Sequence, residues 1–326
     1  MKAVIFFPPA GRVTGGMAVL LQLGLALKGL GREVEYCLWD EKQVPYLEKQ
    51  GFRTRVGRQL SLGAEDVFLI PEGWPNALAM GINSRARCFV YCQNWAYLFG
   101  GLPGNVNWND LPVEFISVSE PVRNFIHEVL GKESQVIRPF IDKSIFFPGP
   151  ARSGNVVNIA CMPRKNKALI SLIKRIINSR NPEDQDIRWI SIDGADHPEV
   201  AGLLRDSHIF LASGFPEGFA LPPLEAMACG CLVVGYAGLG GWDYMRPLQG
   251  SFVPDMELRR VEWEGNGLYN ADGDVLGTAL SLEKAVQMFR ASDSLLTKAL
   301  ENCRLTADSY SRENQEKEVF GWLKQL

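Results

Sequence analysis

The sequence lacks the features that mark exported, membrane-spanning and disulfide-framed proteins. It has no apolar stretch of about 18 residues, the length that a membrane helix needs, and the first apolar run, Ala3 to Phe7, is too short for a signal peptide. Three histidines and no CxxC pair argue against a structural zinc site. Seven cysteines, an odd number in mostly apolar surroundings, indicate reduced and buried thiols. The sequence therefore predicts a cytoplasmic protein.

The chain also lacks a strong charge of either sign. Its 326 residues carry 34 Lys and Arg against 37 Asp and Glu, a net charge of -3, so no overall field favours a nucleic acid partner. Hydrophobic residues make up 46% and charged residues 22%, which is typical of a folded globular chain. This length predicts two domains or one large α/β unit.

One cluster of cations departs from this balance. Lys49, Arg53, Arg55 and Arg58 lie within ten residues of one another, a pattern that suits contact with an anionic lipid or a phosphorylated acceptor. A solvated surface is the preferred interpretation, because runs of charge usually face water. The cluster nevertheless adds the hypothesis of a peripheral contact with the inner face of a membrane.

Short apolar runs bounded by Gly, Pro or Asn alternate with segments of helical periodicity. Such runs are typical of parallel strands that helices cover on both faces. The predicted strands are 3–7, 34–38, 67–70, 88–92, 115–118, 136–137, 156–159, 187–192, 209–212 and 232–234. A segment rich in Pro, Gly and Ser at 147–154 interrupts the alternation. We therefore predict an α/β protein with two doubly wound domains, residues 1–147 and 148–308.

The loops that lead from strand to helix are the candidate sites, because ligands of doubly wound domains bind beyond the carboxyl ends of the strands. The cleft between two such domains is the default location. Gly11, Gly15 and Gly16 follow the first strand and allow a close approach of backbone to an anion. A purely steric use of these glycines is an equally good interpretation. The spacing differs from GxGxxG, which argues against a dinucleotide site.

Two adjacent cations, Arg164 and Lys165, follow the first strand of the second domain. An arginine fork and a lysine point charge at such a position can bind a diphosphate. A solvated basic turn is an alternative of equal weight.

A third loop carries two carboxylates eight residues apart. Glu217 lies in a Gly- and Pro-rich stretch, and Glu225 lies in a short helix that begins with prolines. Carboxylates accept hydrogen bonds from sugar hydroxyls, and a helix N-terminus binds phosphate. Helix capping by Glu217 is the simpler alternative, but it leaves Glu225 unexplained.

The segment from Glu217 to Glu225 resembles the E-x7-E motif of glycosyltransferase family 4, retaining enzymes of the GT-B fold that use nucleotide-sugar donors. The similarity continues through 225–230, the glycine turn at 238–241, and the segments 116–120 and 137–142. It implies two Rossmann-like domains that face each other across a cleft. It also implies a last helix, at about 309–326, that crosses back to the first domain.

The resemblance implies a role for each matching position. Glu217 would contact the donor sugar, and Glu225 would hold the ribose hydroxyls. Lys165 would bind the diphosphate, and Gly16 would lie near it. The residues that would offer their backbone to sugar and phosphate are Gly218, Phe219, Ala220 and Leu221.

Two positions depart from the family pattern. The arginine expected several residues before Lys165 has no counterpart, so Arg164 is its substitute. The strand that often leads to a histidine here leads to Gln93 and Asn94, which can hydrogen-bond a sugar hydroxyl but cannot act as an imidazole base. We therefore assign Glu217, Lys165 and Arg164 to catalysis, and Gln93 and Asn94 to sugar contacts.

The resemblance thus predicts a retaining hexosyltransferase that needs neither metal nor cofactor. Its substrates would be a UDP- or GDP-sugar and a saccharide or glycolipid acceptor. A nucleotide-sugar epimerase of the same fold, a nicotinamide dehydrogenase and a catalytically silent subunit that binds sugar nucleotides stay open as alternatives. Trp74, Trp95, Tyr97 and Trp108 of the first domain are interpreted either as sugar-stacking rings or as core aromatics.

Overall fold

The computed structural model describes residues 1–9, 14–57, 61–150, 154–183 and 186–326, so Gly11 and Arg58 lie outside the described residues. The strands β1 to β12 are Lys2–Phe6, Glu33–Leu38, Arg53–Val56, Val67–Pro71, Arg87–Cys92, Glu114–Ser117, Ser134–Val136, Val157–Cys161, Ile187–Ser191, Ile209–Ala212, Leu232–Gly235 and Gly267–Tyr269. The helices α1 to α10 are Gly15–Gly29, Val44–Lys49, Pro75–Ile82, Glu120–Leu130, Lys167–Arg180, His197–Arg205, Leu221–Ala228, Val275–Arg290, Ser294–Ser309 and Arg312–Leu323.

Each apolar run predicted as a strand overlaps a strand of the structure, whereas β3 and β12 were not predicted. β3 alternates two arginines with Thr54 and Val56, so it has no apolar run to reveal it. It pairs with β2 at the edge of its sheet, and none of its four residues is fully buried. β12 has only three residues.

The chain forms two compact units. Unit 1 comprises Met1–Phe140 and Arg312–Leu326. Its seven-stranded parallel sheet has the order β3-β2-β1-β4-β5-β6-β7. The strand order reverses between β1 and β4, so the loops that follow these strands part at the carboxyl edge and leave a crevice there.

Helix α10, near the end of the chain, belongs to unit 1. Val319 and Trp322 are buried, and the Trp322 ring packs edge-on against Phe89 of β5 at a centroid distance of 5.2 Å. The Arg138 guanidinium binds the Glu318 carboxylate at 2.6 Å. The core of unit 1 therefore contains residues from both ends of the chain.

Unit 2 comprises Ile141–Ser311. Its five-stranded parallel sheet has the order β12-β11-β10-β8-β9. Here the order reverses between β8 and β10, which places the loops after these two strands side by side. Both sheets are covered by helices, so the α/β fold with two doubly wound units is confirmed.

The change from unit 1 to unit 2 falls between Phe140 and Ile141, earlier in the chain than the predicted break at 147–148. The Ile141 N–H donates to the Tyr310 carbonyl at 2.9 Å, and the Arg205 guanidinium donates to the Ile145 carbonyl at 3.0 Å. These bonds attach the residues after Phe140 to unit 2.

The cation cluster in unit 1 is partly neutralised. Arg53 pairs with Glu33 at 3.3 Å, and Arg55 pairs with Glu35 at 2.8 Å, because β2 and β3 lie side by side. The carboxylates therefore reduce the charge that the cluster presents. No helix among the described ranges has the length and hydropathy needed to cross a membrane.

All seven cysteines are buried free thiols, as the sequence predicted.

Candidate active site

The loops after β8 and β10 bring Lys165 and Glu217 together at the carboxyl edge of unit 2. The Lys165 Nζ lies 2.8 Å from Glu217 Oε1 and donates a hydrogen bond to the Pro216 carbonyl at 3.0 Å. The two side chains are only 24% and 22% exposed, so water screens this pair less than a surface pair. Two predicted residues, 52 positions apart in the chain, thus form one charged contact.

Asn166, which sequence reasoning missed, connects the same two loops. Its amide nitrogen donates to the carbonyls of Ser213 and Phe215 at 2.9 and 3.1 Å. Its backbone is left-handed, with φ 58°, a conformation that asparagine adopts more readily than most residues. An asparagine between a basic pair and a helix was the available signal.

A glycine turn holds the backbone of Glu217 on both sides. The Glu217 N–H donates to the Gly238 carbonyl at 2.8 Å, and the Gly240 N–H donates to the Glu217 carbonyl at 3.0 Å. The Gly238 N–H in turn donates to the Asp272 carboxylate at 3.0 Å. The turn predicted from its glycines therefore fixes the position of Glu217.

Aromatic residues fix the backbone from Gly218 to Leu221, which is the segment predicted to contact sugar and phosphate. Phe219 is buried against Tyr244 and Tyr310, at centroid distances of 5.5 and 5.3 Å. The Tyr244 hydroxyl donates to the Ala220 carbonyl at 2.5 Å. Ala220 is left-handed, with φ 65°, and this conformation turns the chain into α7 at Leu221.

Glu225 lies on α7, partly buried. Its carboxylate makes no hydrogen bond or ion pair with another residue in the described part of the chain. Burial raises the pKa of Glu225 from 4.5 to about 7. A buried carboxylate that has no partner among the described residues is suited to accept hydrogen bonds from a polar ligand that replaces water.

Among the described residues, no contact links the Arg164 side chain to the Lys165–Glu217 pair. Its side chain is exposed and makes no hydrogen bond or ion pair with the described residues. Lys165, the next residue, is the cation that reaches the loop after β10. The assignment of Arg164 to catalysis stays a prediction.

In unit 1, Gly16 and Gln93 lie in contact. A Cβ added at Gly16 would lie 2.7 Å from Gln93 Oε1, so a side chain at position 16 would displace the Gln93 amide. Asn94 is buried, and its side-chain oxygen accepts the Ala96 N–H at 3.1 Å. The assignment of Gln93 and Asn94 to sugar contacts stays a prediction.

The four aromatic residues singled out in the first domain differ in their surroundings. Trp108 is buried, and its indole N–H donates to the Leu98 carbonyl at 2.9 Å. Trp74 packs against other rings, and Trp95 packs against Phe125. Tyr97 is 52% exposed. The core interpretation holds for Trp108, whereas Tyr97 faces solvent.

Among the described residues, no group of three or more His, Cys, Asp and Glu side chains is arranged to hold a metal ion.

Comparison with known proteins identifies a matching family segment and a fold. Residues 166–255 match the family model described as glycosyl transferases group 1. An alpha-1,6-glucosyltransferase from Actinobacillus pleuropneumoniae serotype 7 is 26% identical over 231 residues, covering 69% of each chain. The matched family segment begins at Asn166 and includes Glu217, Glu225 and the glycine turn.

Solved structures with the same architecture include a glycosyltransferase from Rickettsia africae, with a TM-score of 0.70, 15% identity and coverage of 99% of this chain and 98% of that one. HepE from Anabaena, solved in complex with UDP-glucose, has a TM-score of 0.68 and 13% identity, and each chain is covered completely. The fold is that of the GT-B glycosyltransferases, and the group 1 segment supports a GT-B glycosyltransferase.

Proposed function

We propose that the protein is a retaining glycosyltransferase that moves a hexosyl group from a UDP- or GDP-sugar to a saccharide or glycolipid acceptor. The observation that carries the proposal is the contact between Lys165 and Glu217, 2.8 Å long, at the reversal of strand order in unit 2. A cation and a sugar-binding carboxylate at one sheet edge suit a donor that joins a diphosphate to a sugar.

The proposed reaction breaks the bond between the anomeric carbon and the diphosphate oxygen. The acceptor oxygen forms its bond to the same face of that carbon, and the acceptor proton passes to the leaving phosphate oxygen. The protein then needs to stabilise the charge on the leaving group, for which Lys165, with Arg164 beside it, is suited.

The donor is held, in this proposal, by the loop and helix that follow β10. Glu217 accepts hydrogen bonds from the sugar, and Glu225 accepts hydrogen bonds from the ribose hydroxyls. The backbone of 218–221 contacts the sugar and the phosphate. UDP-glucose is the favoured donor, because the HepE structure is described with UDP-glucose and the Actinobacillus relative is named as a glucosyltransferase. We propose that neither a metal nor a cofactor takes part.

Thermal unfolding with UDP, GDP, ADP, NAD and UDP-glucose tests this function. A ligand at about a hundred times its Kd stabilises a protein by about 2.7 kcal/mol, so UDP and UDP-glucose should raise Tm and NAD should leave it unchanged. A cooperative melt that no nucleotide shifts would contradict the proposal. UDP binding without transfer to any acceptor would indicate a silent subunit, and release of an epimer would indicate an epimerase.

Glu225→Gln should weaken nucleotide binding while stabilising the protein at alkaline pH. An amide offers one acceptor oxygen where the carboxylate offers two, so we expect UDP affinity to fall by about tenfold or more. The pKa of Glu225, raised to about 7, means that the folded native protein keeps this proton up to neutral pH and its stability falls as pH rises from 5 to 8.

The measurement is the free energy of unfolding at pH 5 and pH 8, together with UDP titrations. The variant should match the native protein at pH 5 and exceed it by about 2 kcal/mol at pH 8. Glu262→Gln, at an exposed position, serves as the control and should change neither quantity. Unaltered UDP affinity in Glu225→Gln would remove this residue from the donor site.

A further inference from the structure

A buried carboxyl group lies at the carboxyl edge of unit 1, outside every site described above. Glu72 follows β4 directly, beside the point where the strand order of the sheet reverses. Glu72 is only 9% exposed. Glu72 Oε2 accepts the backbone N–H of Gln93 at 2.7 Å, and the backbone of Asn94 also binds this carboxylate.

Glu72 holds the backbone of Gln93, whose side-chain amide lies at the same edge of the sheet. Its Oε1 lies against Gly16 at the start of α1. Its Nε2 is buried and has no hydrogen-bond partner in the part of the chain that the structure describes. Because a buried N–H without an acceptor is costly, an acceptor from outside the protein, such as a sugar hydroxyl, would satisfy it.

We infer that Glu72 is a positioning residue: its carboxylate fixes the backbone of Gln93 and Asn94, so that the Gln93 amide donates to a hydroxyl of a sugar substrate bound at this edge of unit 1. This inference rests on the proposed function. Glu72 touches neither the sugar nor the nucleotide, and it acts through Gln93. A carboxylate suits the task, because charge strengthens the hydrogen bonds that it accepts from N–H groups.

The surroundings of Glu72 make its ionisation a usable probe. Burial raises the pKa of Glu72 from 4.5 to about 7, and the backbone N–H groups of Gln93 and Asn94 oppose this rise. Among the described residues, the titratable side chains of Tyr91 and Cys92 on β5 lie close enough to interact with the charge of Glu72. Burial also raises the pKa of both, so they stay neutral while Glu72 titrates.

The first experiment compares Glu72→Gln with the native protein in the release of UDP from UDP-glucose, across pH 6 to 8.5. At pH 6 native Glu72 is protonated and resembles glutamine, so the variant should turn over at the native rate. At pH 8.5 its kcat should be lower by about tenfold, with UDP affinity unchanged. A rate ratio that stays constant with pH would overturn the inference.

The ratio cancels the titration of Glu225, which both proteins share. Glu35→Gln is the matched control, because Glu35 is also 9% exposed but lies on β2 and pairs with Arg55. Its rate per folded molecule should equal the native rate at every pH.

A double-mutant cycle then tests the route through Gln93. If Glu72 acts by placing that amide, the double variant Glu72→Gln, Gln93→Ala should be no slower than Gln93→Ala alone. Losses that multiply would overturn the inference.

A third measurement separates this inference from the proposed function. In ¹⁵N-labelled native protein, the backbone amide signals of Gln93 and Asn94 should shift with a midpoint near pH 7, and Glu72→Gln should abolish the shift. The absence of this titration in the native protein would overturn the inference. Failure to bind UDP or to release it from UDP-glucose, with the titration intact, would instead contradict the proposed function.

Discussion

Lys165→Ala and Glu217→Ala should each reduce turnover by about a hundredfold or more while the protein keeps its fold. Loss of one preorganised charge or donor at a developing oxyanion typically costs a factor of about 10² to 10³ in kcat. Lys165 is placed for this task, because its ammonium lies 2.8 Å from Glu217 and 3.0 Å from the Pro216 carbonyl. Removing Glu217 takes away both its proposed sugar contact and the carboxylate that lies 2.8 Å from this ammonium.

The measurement is kcat/KM for transfer from UDP-glucose, or for UDP release, combined with thermal unfolding. Lys298→Ala is the matched control: Lys298 also pairs with a glutamate, Glu264 at 3.3 Å, but the pair is exposed. Surface pairs contribute about 0 to 1 kcal/mol, so this variant should keep native stability and native turnover. Native turnover in the Lys165 and Glu217 variants would exclude both residues from the mechanism.

Gly240→Ala should destabilise unit 2 and abolish activity. A Cβ at position 240 would lie 2.0 Å from the carbonyl carbon of Gly218 and 2.5 Å from the Phe219 nitrogen. These are backbone atoms, which cannot rotate away, so the loop that contains Glu217 and its neighbours must shift. We expect a loss of about 3 kcal/mol, at the upper end of ordinary overpacking, and a fall in turnover of about a hundredfold or more.

Gly202→Ala, on α6, is the control for this change. A Cβ at Gly202 would meet no atom within 4 Å, and alanine favours a helix over glycine by up to about 1 kcal/mol. The two variants should therefore move Tm in opposite directions. A Gly240→Ala protein with native Tm and native UDP release would show that the close approach of residues 218 and 240 is not required.

Apolar patterning predicted the sheets well, because buried parallel strands such as β4, Val67–Pro71, consist of consecutive apolar residues. β3 was missed for the opposite reason: its arginines lie at a sheet edge and pair with glutamates of β2. The boundary between the units depends on long-range hydrogen bonds, such as that from Ile141 to Tyr310. No local composition reveals bonds of that kind.

The residues of the candidate site also divide into those that a sequence pattern reveals and those that only the structure reveals. Glu217 and Glu225 belong to a motif whose spacing is visible along the chain, and Lys165 belongs to a basic pair that follows a strand, so all three could be named as candidates from the sequence. Tyr244 and Glu72 act on backbone atoms that are distant in sequence. A hydroxyl bound to one carbonyl, or a carboxylate bound to one N–H, leaves no pattern in the surrounding residues. The structure was needed to find them.

The place of α10 in unit 1 has a consequence for synthesis on the ribosome. Domains generally fold as units, N-terminal parts first, as the chain emerges. Here the rings and aliphatic groups of α10 that complete the core of unit 1, Val319 and Trp322 among them, are made after the whole of unit 2. Nascent residues 1–140 therefore keep an uncovered apolar face until α10 has been made. Unit 2 is the first of the two units whose residues are all available for folding.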